Sequence, residues 1–139
     1  MRTSLEANLP AIRADGPLLR SVIVNLIDNA AEALEDATVR EITVATHLHA
    51  ESDTIEISVA DTGHGISPED KDKLFLPHFS TKDRGTGLGL AIAARIISEH
   101  GGSLRVEDNR PVGSRFLIEL PVAELSATAG TERLGADSD

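Results

Sequence analysis

The spacing of apolar residues predicts a chain of mixed helices and strands. From Leu18 to Leu34 apolar residues recur at helical intervals and occupy nearly the whole circumference, which predicts a largely buried helix. Glu41 to Leu48 and Thr54 to Ala60 instead alternate with the period of a strand. The short polar loop between these two segments predicts that they pair as antiparallel strands.

The two ends of the chain add further elements. Leu9 to Ala14 reads as a short strand, and a turn follows in which Pro17 suits the first position of a helix. Helical spacing resumes from Leu90 to Glu99 and stops at His100-Gly101-Gly102, a glycine C-cap signal. Two last strands are predicted at Ser103 to Glu107 and Ser114 to Leu120.

A long glycine-rich and charged segment interrupts this order. It runs from Asp61 to Gly89 and contains one short helix candidate, Pro68 to Leu74. Irregular segments of this length are usually functional loops. Residues 1–122 are therefore predicted to form one α/β domain, and the small, polar tail Ala123 to Asp139 is expected to be disordered.

A polar stripe marks the first helix. Asn25, Asp28, Asn29 and Glu32 recur at spacings of three and four residues, while the other faces of the helix are apolar. Asparagine and carboxylate oxygens are ligands that Mg²⁺ prefers, so the stripe suggests a metal and phosphate site. Taken alone, a solvated helix face explains the stripe equally well.

The residues after the second predicted strand suggest a base-binding pocket. In Asp61-Thr62-Gly63-His64-Gly65-Ile66, the carboxylate can accept a hydrogen bond from the exocyclic amine of adenine. Gly63 and Gly65 let the backbone approach the ring closely, and Ile66 supplies an apolar wall. Taken alone, such a pattern is more often an ordinary turn.

A second glycine cluster precedes the last helix. Its glycines run into the helix start, where free backbone amides and the helix dipole attract phosphate. The cluster lacks the preceding strand of a dinucleotide fingerprint and the terminal Lys-Ser/Thr of a P-loop. Lys82 and Arg84, on a flap whose Phe75 and Phe79 would anchor it, could reach the phosphates. The candidate phosphate-binding residues are Thr81, Lys82, Arg84, Gly85, Thr86, Gly87, Leu88 and Gly89.

Composition narrows the possible partners. The 139 residues carry a net charge of −10, which opposes binding to nucleic acid, and the absence of cysteine excludes disulfides and thiolate sites. No apolar run is long enough for a membrane span, and no signal peptide opens the sequence. A cytoplasmic domain without membrane contact is expected, which is compatible with a parent protein anchored in the inner membrane.

In this order the motifs resemble the N, G1, F and G2 boxes of bacterial sensor histidine kinases, from about Leu9 to Val122. The four boxes are Asn25-Leu26-Ile27-Asp28-Asn29-Ala30, Asp61-Thr62-Gly63-His64-Gly65, Phe75 to Phe79, and Gly85-Thr86-Gly87-Leu88-Gly89-Leu90. The run Ser80-Thr81-Lys82 and the short flap look most like the nitrogen-regulation kinases of NtrB or NtrY type.

The resemblance implies a two-layer α/β sandwich of the Bergerat ATP-binding type, with a mixed, mostly antiparallel sheet backed by helices. It implies that Asn29 coordinates Mg²⁺, Asn25 supports the phosphates and Asp61 reads the adenine amine. Gly63 and Gly65 would shape the base pocket, and Gly87 and Gly89 would present amides to the phosphates. Many relatives carry Lys or Arg where this chain has Glu32, and Lys82 or Arg84 would then supply the positive charge.

The same resemblance implies the reaction and the partners. ATP would donate its γ-phosphate to a histidine on a separate dimerisation and phosphoacceptor domain of the same protein, and a response regulator would receive it indirectly. None of the five histidines resembles the phosphoacceptor box, so no catalytic residue is assigned and these residues alone should not phosphorylate themselves.

Other classes use this fold, namely hydrolytic ATPases resembling gyrase, MutL and Hsp90, and serine kinases resembling anti-sigma factors. They usually carry a glutamate general base where this chain has Asn25, whose amide cannot accept a proton. A nucleotide-binding regulatory module that has lost phosphotransfer is a further alternative.

Overall fold

A computed structural model describes residues 1–5, 9, 11–76 and 89–123, which form a five-stranded sheet with helices on one face. The strands are β1 (Arg2–Ser4), β2 (Ile42–His49), β3 (Thr54–Asp61), β4 (Ser103–Asp108) and β5 (Ser114–Pro121). The helices are α1 (Gly16–Ala33), α2 (Pro68–Lys71) and α3 (Gly89–Glu99).

The sheet is mixed and mostly antiparallel, as predicted. Its strand order is β1-β2-β3-β5-β4, in which only the pairing of β1 with β2 is parallel. The loop after β2 returns the chain so that His49 lies opposite Thr54. This arrangement confirms the predicted α/β sandwich and the antiparallel pairing of β2 with β3.

The core lies between α1, α3 and one face of the sheet. Burial of each large apolar side chain stabilises the fold by about 1.5–3 kcal/mol. Leu26 of α1 and Ile97 of α3 have no exposed surface, and they pack against alternate residues of β3 and β5. These strand residues are Ile55, Ile57, Val59, Phe116, Ile118 and Leu120. Because side chains alternate along a strand, the intervening residues point away from the helices.

The first helix begins two residues earlier than its apolar pattern. Asp15 caps it in an extended conformation, and its Oδ1 accepts a hydrogen bond from the Leu18 amide at 3.0 Å. Pro17 is the second residue of the helix and not the first as predicted, and its missing N–H would have no partner at this position either. The cap stabilises the helix by about 1 kcal/mol and fixes where α1 starts.

The strand predicted at Leu9 to Ala14 is wrong. Residues 11–15 have no regular structure, and the edge of the sheet is occupied by β1, whose Arg2 lies opposite Thr43. Ile12 packs against the core from a loop instead. Because β1 takes the place beside β2, this segment does not pair with β2. The short helix α2 also ends at Lys71, three residues before its predicted end.

The predicted glycine end of α3 is confirmed in detail. Gly101 adopts a φ of 77°, which only glycine takes without strain. The Gly102 amide donates to the Ile97 carbonyl and the Gly101 amide donates to the Ser98 carbonyl, each at 3.0 Å. These two bonds satisfy the last carbonyls of the helix and reverse the chain into β4.

The helices within the described ranges are too short or too polar to cross a membrane. Most of the tail predicted to be disordered, residues 124–139, lies outside the described residues, so its disorder and the domain limit at residue 122 stay predictions.

The end of α3 is tied to the start of α1 by His100. Its Nε2 accepts the Asp15 amide at 2.9 Å, and its Nδ1 lies 2.7 Å from the Ile96 carbonyl. This pair of contacts requires a neutral ring with its proton on Nδ1. His100 thus connects the cap of one helix to the last turn of the other.

We expect His100→Ala to lower the free energy of unfolding by about 1 kcal/mol, since two partly exposed hydrogen bonds are lost and water can replace them in part. Urea denaturation would measure the change. Ser98→Ala, an exposed position of the same helix, is the matched control and should leave stability unchanged. Equal stability of wild type and His100→Ala would show that the bridge contributes nothing.

Candidate functional site

Asp61 is a buried carboxylate at the end of β3, with 1% of its surface exposed. Its Oδ1 accepts the Gly63 amide at 2.9 Å and, more weakly, the Ser114 amide at 3.4 Å. Its Oδ2 accepts the Ser114 hydroxyl at 3.1 Å. Each carboxylate oxygen can accept two hydrogen bonds, so Oδ2 keeps one position for a further donor. Backbone and hydroxyl donors therefore hold the carboxylate in one orientation.

The glycines after Asp61 allow close backbone approach. A Cβ on Gly63 would lie 2.3 Å from the Ala33 carbonyl oxygen, so no side chain fits between this loop and the end of α1. Gly65 has a φ of 78°, which disfavours every residue with a side chain. Ile66 is half-buried and packs against the core. The structure thus requires Gly63 for its contact with α1, whereas the approach of these glycines to an adenine ring stays a prediction.

Three residues that support Asp61 were missed by sequence reasoning. Besides the Ser114 hydroxyl, Asn109 Nδ2 donates to the Asp61 carbonyl at 2.8 Å. Gly113 has a φ of 105°, and a Cβ there would lie 1.9 Å from the same carbonyl oxygen. The Gly-Ser pair at the start of the last predicted strand was a visible signal of close approach. Nothing local, however, indicates that its partner lies at the end of β3.

Asn25 links the polar stripe of α1 to the glycine cluster. Its Nδ2 donates to the Gly89 carbonyl at 2.6 Å, and a Cβ on Gly89 would lie 2.8 Å from the Asn25 Oδ1. The first residue of α3 therefore rests directly on the side chain of Asn25. The structure brings together two motifs that are 64 residues apart in the sequence.

Only some residues of the polar stripe on α1 point toward the interior of the protein. Asn25, Asn29 and Glu32 are half-buried, whereas Asp28 is exposed. The side-chain amide of Asn29 makes no hydrogen bond to the part of the chain that the structure describes. Of the four stripe residues, only Asp28 is therefore directed to solvent.

Of the flap, the structure describes only the first residues, up to Leu76. The ring of Phe75 packs edge-on against Phe116, with centroids 6.3 Å apart, so the expected apolar anchoring is confirmed there. Phe79 lies outside the described residues, as do the candidate phosphate-binding residues Thr81, Lys82, Arg84, Gly85, Thr86, Gly87 and Leu88.

The family model described as "Histidine kinase-, DNA gyrase B-, and HSP90-like ATPase" matches residues 14–124. Sensor protein FixL of Bradyrhizobium diazoefficiens is 40% identical over 124 residues, which are 89% of this chain and 24% of FixL. The chain thus spans about a quarter of this relative's length.

Two solved structures resemble the fold. The catalytic domain of histidine kinase ThkA superposes with a TM-score of 0.74 at 35% identity, over 86% of this chain and 78% of that one. Full-length ShkA in complex with AMPPNP gives a TM-score of 0.74 at 29% identity, over 91% of this chain and 26% of that one.

Proposed function

Because the chain belongs to the family of histidine kinase-, gyrase B- and HSP90-like ATPase domains, with histidine kinase catalytic domains as its relatives, we propose that it binds Mg²⁺–ATP and donates the γ-phosphate to a histidine. The acceptor would lie on a separate dimerisation and phosphoacceptor domain of the same protein, and a response regulator would receive the phosphate afterwards. The observation that carries the proposal is the buried Asp61 carboxylate, whose Oδ2 keeps one acceptor position.

The adenine base would be recognised by the negative charge of the Asp61 carboxylate and by the direction of its free acceptor position. The free position on Asp61 Oδ2 suits the exocyclic amine of adenine, while guanine would present a carbonyl oxygen to the same carboxylate. Two facing acceptors repel, so GTP should bind poorly. Gly63, Gly65 and Ile66 would form the walls of the base pocket. AMPPNP, the ligand named for ShkA, carries the same adenine ring.

The residues of α1 fit a hydrated Mg²⁺ ion. Asn29 offers a half-buried amide oxygen, and such hard oxygen donors are the ligands that Mg²⁺ takes. When bound, the ion would neutralise phosphate charge. Asn25 would hold the first residue of α3 beside the phosphates, near the amides of Gly85 to Gly89. Thr81, Lys82 and Arg84 would contribute from the flap.

The bond made by Asn25 favours histidine phosphorylation over hydrolysis or serine phosphorylation. Its Nδ2 donates to the Gly89 carbonyl, and an amide in this position cannot take a proton from water or a hydroxyl. An imidazole is already a nucleophile, and a base that accepts its ring proton would come from the partner domain. The domain alone would not phosphorylate itself, because none of its histidines lies in a phosphoacceptor box.

We further propose a cytoplasmic location. We also propose an NtrB- or NtrY-like subgroup, which the Ser80-Thr81-Lys82 run and the short flap support.

The second candidate function is a regulatory module that binds nucleotide but does not transfer phosphate. It is supported by Glu32, which stands where many relatives have Lys or Arg. A phosphotransfer assay with an acceptor domain distinguishes the two functions, because only the kinase would transfer phosphate.

The direct test is titration of this domain with Mg²⁺ and a non-hydrolysable ATP analogue. We expect binding at sub-millimolar concentration, and at about 100 times Kd a stabilisation of about 2.7 kcal/mol in thermal unfolding. GTP and metal-free ATP serve as controls and should bind more weakly. Absence of calorimetric heat and of stabilisation at millimolar nucleotide would refute the proposal.

A further inference from the structure

A half-buried acidic pair lies on the face of the sheet that points away from the helices. Glu56 of β3 and Glu119 of β5 are directly opposite each other, and their side chains are 18% and 32% exposed. Like charges directly opposite on neighbouring strands are destabilising unless a cation lies between them. This pair occurs at the start of β3, at the end opposite to Asp61.

The protein supplies little direct compensation to Glu119. Arg105 forms an ion pair with it across 3.8 Å, which is too long for a hydrogen bond. Within the described residues the Glu119 side chain accepts no hydrogen bond. Its carboxylate therefore keeps its lone pairs free while facing another carboxylate.

His49 of β2 completes a set of three donors. Its Nε2 lies 2.9 Å from Glu56 Oε1, and its ring packs edge-on against His47 with centroids 4.7 Å apart. The hydrogen bond to Glu56 raises the pKa of His49, although burial acts in the opposite direction. A metal ion bound at Nε2 would take the place of the proton in this hydrogen bond, because only the neutral imidazole binds a metal.

We propose that His49, Glu56 and Glu119 bind one transition-metal ion of the Zn²⁺ class, with water completing the coordination. One ligand atom from each residue lies within 4.8 Å of the others. Around a tetrahedral Zn²⁺ ion, bonds of about 2.0–2.1 Å place ligand atoms roughly 3.3 Å apart. Side-chain movements of up to about 1.5 Å close the difference.

The donor set selects the metal class. One imidazole nitrogen with two carboxylates suits Zn²⁺ and similar ions, whereas Mg²⁺ prefers oxygen ligands alone. All three donors stand on neighbouring strands of the sheet, so a bound ion would connect β2, β3 and β5. Since the site lies on the opposite face from Asp61 and Asn29, it should bind metal without nucleotide.

The test uses the 139-residue chain, freed of metal by chelator and titrated with zinc chloride by calorimetry without nucleotide. Loss of a ligand should weaken binding by at least about tenfold, since even residues that only support ligands contribute 10–100-fold. We expect that loss in both His49→Gln and Glu119→Gln. Zinc should also raise the Tm of wild type and not of either variant.

His47→Gln is the matched control, because it removes the neighbouring imidazole and leaves the three donors in place. We expect less than about a twofold change in zinc affinity for it. Unchanged zinc binding in His49→Gln and Glu119→Gln would overturn the site. An equal loss in His47→Gln would also overturn it, since the histidine pair would then be the ligand. ATP affinity should stay unchanged in all three variants, so this test is independent of the proposed kinase function.

Discussion

Replacing Asn29 with alanine is expected to abolish phosphotransfer to an acceptor-helix domain added in trans, while the fold stays intact. The side chain is half-buried and has no hydrogen bond within the described chain, so truncation removes an oxygen ligand without disturbing a contact of the core. The rate should fall by at least about 100-fold, because supporting residues of a metal site alone contribute 10–100-fold. Radiolabelled ATP and an isolated acceptor domain measure the transfer.

Two comparisons make this experiment specific. Ser21→Ala, an exposed position on the same helix, should transfer phosphate as wild type does. Nucleotide should still bind Asn29→Ala weakly through Asp61, which needs no metal. Undiminished transfer by the variant would show that Asn29 is not part of the site. Stable phosphohistidine on the 139-residue domain alone would contradict the proposal that the acceptor histidine lies on a separate domain.

Asp61→Asn is expected to weaken ATP binding by about 1.5–3 kcal/mol, the usual contribution of a hydrogen bond to a charged group, or roughly 10–150-fold in Kd. The new amide nitrogen must replace one of the two oxygens. At Oδ1 it would face the Gly63 amide, and at Oδ2 it would face the adenine amine. Either orientation sets two donors against each other, so no rotation of the amide restores the pocket.

Ser114→Ala separates base recognition from support of the carboxylate. It removes one hydrogen bond to Oδ2 and leaves the charge in place, so ATP affinity should fall less than in Asp61→Asn. Calorimetry with ATP and GTP gives the affinities, and urea denaturation tests whether each variant is folded. Equal ATP affinity of Asp61→Asn and wild type would exclude Asp61 from the base pocket.

Much of the fold was determined by the sequence itself. The apolar periods of α1, α3 and four of the strands are local properties, as are the Pro17 start of α1 and the Gly101 end of α3. The candidate base and metal residues Asp61 and Asn29 also stand in recognisable motifs. Such features depend on neighbouring residues, which a sequence displays directly.

Only the tertiary structure decided which distant residues meet. The strand β1 has no apolar alternation and exists because the edge of β2 was free to pair with it. Ser114 and Asn109 became supports of Asp61 because antiparallel pairing of β3 with β5 places the start of one strand beside the end of the other. The bond from Asn25 to Gly89 likewise depends on the packing of α1 against α3. Pairing and packing are set by competition among all elements for the same sheet edges and core surface, which no local pattern records.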